Sequence, residues 1–455
     1  MKKYSLLLVA LLVVCVGCAP SVQKTAEPSA LQNVIVMFGD GMGVGQIEIS
    51  RLFEYGKEEN LFLQSLPHVA LVQTYSANNF VTDSAAAGTA LATGYKTDNK
   101  MVGVTSDGTP VDSIIDWCRK DGKKTGIIST NTVYDATPAS YSVSAESRYS
   151  SAKMALQLLD SNIDVILGGG AKYFGPKKQE GVDLVEKFKE KGYAFAADKD
   201  ELMAVEGSEK LLGLFHSSYM NYQQDKEEYE SKEPSLYEMT AKAIELLSQS
   251  EKGFFLMSEG ARIDHASHAA DFPGVWKEMI DFDAAVKHAV EWAEQDGNTL
   301  VLVLADHETM SFGAAEAMDI EALKQIQVSP EYMAVKMEKA ESGTAFIPSS
   351  VKAIFNEYAN IELTDEEVAA FNDRIVDKEE NKMYYEYKIG WEVGSIIAEK
   401  YHAAVMSTGS RKLSDTGGHT GNMVPLFAYG VGAERFEGVL DNTDVPKILR
   451  ELLGY

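Results

Sequence analysis

The chain has 455 residues, 45% hydrophobic and 24% charged, which is the balance of a globular protein able to build one large core and carry an insertion. A net charge of −26, dense in segments such as 198–201 and 225–233, excludes nucleic acid as the expected partner, because phosphate backbones select basic surfaces. Any anion site must therefore create its own positive potential locally.

In chain order, residues 1–18 read as a lipoprotein-type signal peptide. Lys2 and Lys3 form a basic start, and 6–14 form an apolar core too short to span a membrane as a mature helix. Gly17-Cys18 resembles the end of a bacterial lipobox, although Cys15 sits where leucine is commonest. The expectation is an exported, periplasmic protein, anchored to a membrane by lipid on Cys18, with simple secretion after cleavage a few residues later as the alternative. Residues 19–31, rich in Pro, Ser, Ala, Gln and Thr, read as a flexible tether to a catalytic domain at 32–455.

Within that domain, short β-branched runs at 33–38, 125–129, 164–167, 253–257, 299–304 and 425–429 are apolar on both faces. Helical periodicity fills 152–159, 236–247 and 276–294 between them. Strands covered on both sides by helices predict an α/β fold, a three-layer α/β/α sandwich around a mostly parallel central sheet. Alanines from 85 onward predict a helix that starts near Ser84. Between 319 and 402 the texture turns to Glu, Lys, Met and Ala without strong strands. That stretch is expected to be an inserted helical subdomain, either bordering the mouth of the site or simply elaborating the surface. Cys118, beside Trp117 in a helical pattern, is expected to be a small buried apolar residue.

Open α/β sheets bind ligands beyond the carboxyl ends of their strands. Here those ends carry Asp40, Glu259, the pair Asp306-His307, and Asp135 with Thr137, while His419 precedes the last run. One such residue is usually a cap or a turn; five strand ends converging on Asp, Glu, His or Thr are not explained by capping. Asp264 and His268, four apart, share one helix face, a spacing that can grip a metal ion. Four of the 8 histidines, His265, His268, His307 and His419, fall in these clusters, leaving His68, His216, His288 and His402 as ordinary residues. A hydroxyl at the head of a helix, as at Ser84, reads alone as an N-cap. Beside metal-ligand spacings it reads as part of a phosphate or oxyanion site, since helix starts offer free N–H groups and partial positive charge.

The motifs F-G-D-G-M-G, T-D-S-A-A-A-G-T-A, D-A-T-P-A with Arg148 downstream, E-G-A-R-I-D-H-A-S-H, A-D-H-E-T and G-G-H-T-G together resemble those of alkaline phosphatases. The likeness runs from about Asn33 to the C-terminus, interrupted by 319–402. It implies hydrolysis of small phosphate monoesters to alcohol and inorganic phosphate through a phosphoserine at Ser84. It also implies two zinc ions, one held by Asp264, His268 and His419, the other by Asp40, Asp306 and His307 with Ser84 beside it. A third ion, usually magnesium, would lie among Asp40, Asp135, Thr137 and Glu259, with Arg148 on the phosphate and a homodimer as the assembly. Such metals explain how a weak serine nucleophile is activated, and the planar fork of arginine suits two phosphate oxygens.

Family members commonly pair Asp with Lys, or His with His, where this chain has Asp135 with His265. Imidazole can ligate a metal or hydrogen-bond phosphate, so His265 is expected at the substrate or the third metal, and that site is expected to take zinc or cobalt as well as magnesium. A phosphodiesterase or a sulfatase of the same superfamily would share the metal ligands. Ser84-Ala85-Ala86-Ala87 lacks the Pro and Arg that sulfatase maturation needs, and a free-oxygen grip by Arg148 favours monoesters. A non-catalytic exported metal- or phosphate-binding protein would leave Ser84 without a purpose.

Overall fold

The computed structural model describes residues 31–455; the signal peptide, Cys18 and nearly all of the 19–31 tether lie outside the described residues. The strands, in chain order, are β1 (Asn33–Gly39), β2 (His68–Gln73), β3 (Lys124–Thr132), β4 (Val165–Gly169), β5 (Ala194–Ala196), β6 (Leu211–Leu214) and β7 (Phe254–Gly260). They continue as β8 (Thr299–Leu304), β9 (Glu308–Thr309), β10 (Val376–Asp377), β11 (Lys382–Met383), β12 (His419–Thr420), β13 (Val424–Gly430) and β14 (Gly438–Asp441). Ten of them form one sheet in the order β14-β2-β13-β8-β1-β7-β3-β4-β6-β5. Only β13 runs against its neighbours, so the sheet is mostly parallel, with helices on both faces.

Every residue of β1, β7 and β8 is buried, as a strand sandwiched between helical layers requires. The expected strand 253–257 is longer than its apolar run. Glu259 stays in the ladder because it pairs with Phe38 on one side and Ser129 on the other. The expected runs did not include β2, β5, β6 and β14, for physical reasons: β2 buries only alternate residues, β5 and β6 are 3 and 4 residues long, and β14 lies at the sheet edge.

The helix Phe272–Asp296 packs on Val44–Tyr55 and Leu236–Leu247. Asp271 caps its start, and Gly297, at φ 77°, ends it in the left-handed region. Cys118 is buried and unpaired in the helix Ile114–Lys120.

Residues 319–402 contain the helices Pro330–Lys336, Pro348–Ala359, Asp365–Arg374 and Glu386–Lys400, with the β10–β11 ladder between the last two. The helix Glu386–Lys400 presses on the core at Gly394, where a Cβ would lie 1.8 Å from the carbonyl oxygen of Ala269. Arg411 braces the same contact from the other side. Its Nη1 donates to the carbonyls of His268 and Trp391, both at 3.2 Å, and its Nη2 to Glu392 at 2.9 Å.

Candidate active site

Register aligns the site. Phe38 of β1 pairs with Glu259 of β7 and with Leu304 of β8, so the carboxyl ends of these adjacent strands finish at one level. Asp40 leaves β1 there, Asp306 and His307 leave β8, and Asp135 with Thr137 opens the helix Ala136–Ser142 after β3. The helix Arg262–His268, just after β7, carries Asp264 and His268 on one face. The turn between Asp40 and that helix is tight enough to demand glycine. Gly41 sits at φ +70°, and a Cβ on it would lie 2.7 Å from Asp264 Oδ1.

Two ligand groups result, Asp40 with Asp306 and His307, and Asp264 with His307 and His419; all are buried. His268 joins the second group, its Nε2 lying 3.2 Å from Asp264 Oδ2 and 3.3 Å from His419 Nε2. The outer hydrogen bonds decide which ring nitrogen each histidine offers. His268 Nδ1 donates to the Gly417 carbonyl and His419 Nδ1 to the Thr82 carbonyl, each at 3.0 Å. A carbonyl only accepts, so with the proton held at Nδ1 each ring can turn an Nε2 lone pair inward. Two lone pairs 3.3 Å apart repel unless a cation lies between them. Asp40 Oδ1, Asp306 Oδ2 and Thr137 Oγ1 are likewise buried with no hydrogen-bond partner. These orphaned atoms fit metal ligation, since burying them unpaired would otherwise cost about 1–3 kcal/mol each, more for a charge.

The electrostatics agree. Burial, then the carboxylates of Asp306, Asp264 and Glu259, holds the Asp40 carboxyl well above its ordinary range. Burial also pushes Glu259 up to about 8, against the hydrogen bond that Ser129 donates to it. Carboxyls crowded this way are relieved by divalent cations.

Ser84 opens the helix Ser84–Thr93, and its Oγ lies 3.2 Å from His307 Nε2. The cap of that helix is Asp83 rather than the serine, with Oδ1 accepting from the Ala86 N–H at 3.1 Å. Asp83 also accepts from the Lys100 N–H and pairs with Arg148 Nη1 at 3.1 Å. Arg148 Nη2 lies 3.4 Å from Asp135, so two carboxylates aim the guanidinium and leave its other N–H groups for a ligand. Ser84, Arg148, Asp135, Asp264, His265, His268 and His419 all line one cavity of about 1000 Å³.

Two residues escaped the sequence reading. Thr309 Oγ1 donates to Asp264 Oδ1 at 2.6 Å and so must accept the Nδ1–H of His307, 3.2 Å away. Its signal was the i, i+2 spacing from His307 beyond a strand end, which puts both side chains on one side. Arg262 donates from Nη1 to His265 Nδ1 at 2.6 Å. It stands i, i+3 from that histidine on one helix. Burial, then Arg262, lowers the His265 pKa to about 3. The ring is therefore neutral, with its proton on Nε2.

Fold and site together define a metal-dependent α/β enzyme with a serine poised at the metal cluster. A family model described as alkaline phosphatase matches residues 31–455. Alkaline phosphatase 4 of Bacillus subtilis is 34% identical over 447 residues, covering 94% of this chain and 90% of the relative. The crystal structure of Thermus thermophilus alkaline phosphatase superposes with a TM-score of 0.82 at 27% identity, covering 96% of each chain. A variant of the alkaline phosphatase from the Antarctic bacterium TAB5, solved with magnesium bound in its M3 site, gives a TM-score of 0.67 at 26% identity, covering 94% of this chain and 99% of that one.

The chain belongs to the alkaline phosphatase family, and its activity is the metal-dependent hydrolysis of phosphate monoesters. The reading as a non-catalytic binding protein falls away with that. Among the described residues no helix is long and apolar enough to cross a membrane.

Proposed function

We propose that Ser84 is the nucleophile of this phosphomonoesterase. The observation that carries the reading is its Oγ, at the head of a helix and 3.2 Å from His307 Nε2, in the cavity that Arg148 shares. Asp264, His268 and His419 would hold one zinc, and Asp40, Asp306 and His307 a second. When bound, these ions supply Lewis-acid charge at the attacking and leaving oxygens and lower the pKa of serine and water.

The chain's own part follows. Ser84 loses its proton to solvent and its Oγ attacks phosphorus while the ester P–O bond breaks and the alcohol departs with a proton. Arg148, oriented by Asp83 and Asp135, donates to two of the three phosphoryl oxygens that do not react. Water then attacks the phosphoserine, the Oγ–P bond breaks, and inorganic phosphate leaves as Ser84 regains a proton.

Asp40, Asp135, Thr137 and Glu259 offer only oxygen to the third ion, the donor set of magnesium. The magnesium in the TAB5 relative supports that choice over zinc or cobalt. His265, its Nδ1 occupied by Arg262, would act from Nε2–H as a donor to phosphate rather than as a ligand. Export to the periplasm, lipid on Cys18 and a homodimer remain part of the proposal, supported by Gly17-Cys18 and by the family likeness.

A chromogenic monoester assay tests the reading, with a diester and a sulfate ester in parallel. Acid quench with labelled substrate should leave phosphate on Ser84. Preferred turnover of the diester, or label on any other residue, overturns it. Mass spectrometry of the mature N-terminus tests the lipid, and an unmodified end beyond Cys18 rejects it.

A further inference from the structure

At about 1000 Å³, the cavity above Ser84 is far larger than a phosphate needs and matches pockets that enclose a whole small molecule. One wall is a file of rings. Trp391 stacks on His268 with centroids 4.9 Å apart and planes at 20°. Tyr387 meets Trp391 edge-on at 5.9 Å and 74°, and Tyr385 lies parallel to Tyr387 at 6.4 Å and 8°. The file climbs from the metal cluster to solvent, where Tyr385 is 70% exposed and Tyr387 38%.

Tyr149, 74% exposed, lines the same cavity and directly follows Arg148 in the chain. Tyr387 lines the same cavity. Aromatic faces left in water gain nothing where they stand, but they offer flat surface to a planar group. The charges of the cavity are mixed: Lys100, Arg148 and Arg262 line it together with Glu331 and Asp415, and Arg262 is paired with Glu331 at 3.7 Å.

We propose that the Trp391–Tyr387–Tyr385 wall is a leaving-group subsite for monoesters whose alcohol carries a planar aromatic ring, either a nucleoside or an aryl alcohol. The inference rests on the phosphomonoesterase reading above: with Ser84 against His307, the ion that Asp264, His268 and His419 would hold is left for the leaving oxygen. Trp391, stacked on His268, is then the first side chain the departing alcohol meets, and the tyrosines follow outward.

The test compares metal-loaded wild type with the double variants Tyr385→Leu/Tyr387→Leu and Tyr385→Phe/Tyr387→Phe. Substrates are adenosine 5′-monophosphate, phenyl phosphate and glycerol 3-phosphate, which has no ring. The leucine pair should lower the ratio of kcat/KM for the adenosine substrate over glycerol 3-phosphate roughly tenfold, the scale of one base–aromatic stack. The loss should appear in KM, because stacking persists through the transition state. The phenylalanine pair keeps the rings and should keep the ratio. A larger loss for the adenosine ester than for the phenyl ester identifies a nucleobase as the occupant; equal losses identify any aryl group. A ratio within twofold of wild type in the leucine pair overturns the subsite. Wild type inactive on all three substrates overturns the phosphatase reading instead.

Discussion

The strand-end cluster and the wall from 319–402 face the same cavity, yet they are built in opposite ways. Asp40, Glu259, Asp306 and His307 stand at the ends of fully buried parallel strands, in register, each at most 5% exposed. Tyr385 and Tyr387 stand at the start of a helix that buries Ile389, Val393 and Ile397 in the core while the two tyrosines face solvent. The first region is placed by the sheet and tolerates no shift. The second presents its rings to water and leaves those side chains free to differ. On the roles proposed above, chemistry belongs to the scaffold and selectivity to the addition.

Removing a group from the first region should therefore cost most. Ser84→Ala should lose roughly 10³-fold or more of monoester turnover while keeping its full metal content, read by metal analysis beside the assay. Turnover at wild-type rate with metal retained would remove the nucleophile from the scheme. Arg148→Ala comes next. Monoester kcat/KM should fall roughly a hundredfold and inhibition by inorganic phosphate should weaken, with diester hydrolysis affected much less. Equal losses on both substrates would show that Arg148 does not select the free phosphate oxygens.

Thr309 tests how far the first region extends beyond its ligands. Thr309→Val keeps the shape but loses the hydroxyl between Asp264 and His307. Zinc affinity should drop about 10–100-fold by competition with a chelator, and Thr309→Ser should recover most of it. Unchanged affinity in the valine variant would confine the site to its direct ligands. Gly394→Ala probes the joint between the two regions. Its Cβ would meet the Ala269 carbonyl at 1.8 Å, so the helix Glu386–Lys400 must shift. A loss of about 1–3 kcal/mol in stability is expected by denaturant titration. KM should rise for ring-bearing substrates more than for glycerol 3-phosphate.

The smallest effect concerns pH in the metal-stripped protein. Burial raises Glu259 from 4.5 to about 8 and Asp271 from 3.8 to about 7. Each holds a proton when folded that it would release when unfolded. Their stabilising share is complete below the unfolded values and is lost as pH climbs through the folded ones. The melting temperature of the stripped protein should therefore fall by several degrees between pH 6 and pH 9. Zinc and magnesium should reverse the part due to Glu259, because its carboxylate then has a cation. A flat or rising profile would contradict the direction given for these carboxyls.

Much of the first region was legible because its physics is local. Runs such as 33–38 and 299–304 are apolar on both faces, and polar residues immediately after them cannot continue the pattern. Thr309 and Arg262 were hidden among quoted motifs, since a threonine after a strand and an arginine on a helix have many ordinary uses. Their partners are set by register and by helix spacing, which a one-dimensional pattern does not display. The ring wall was least legible. Tyr385, Tyr387 and Trp391 precede or sit in a stretch with helical periodicity, where aromatics normally signal burial. The packing of the Glu386–Lys400 helix, through Gly394 on Ala269 and Gly390 on Glu331, turns them toward the cavity.

Asp83 carries a consequence of a different kind. One buried carboxylate starts the helix of Ser84, ties down the loop at Lys100 and aims Arg148. Each of these tasks alone could be inherited by another residue through a sequence of small substitutions. Joined in one side chain they cannot be handed over separately, since any replacement disturbs all three at once. A change at a rim tyrosine alters one patch of the wall, whereas a change at Asp83 alters a helix start, a loop and a guanidinium together.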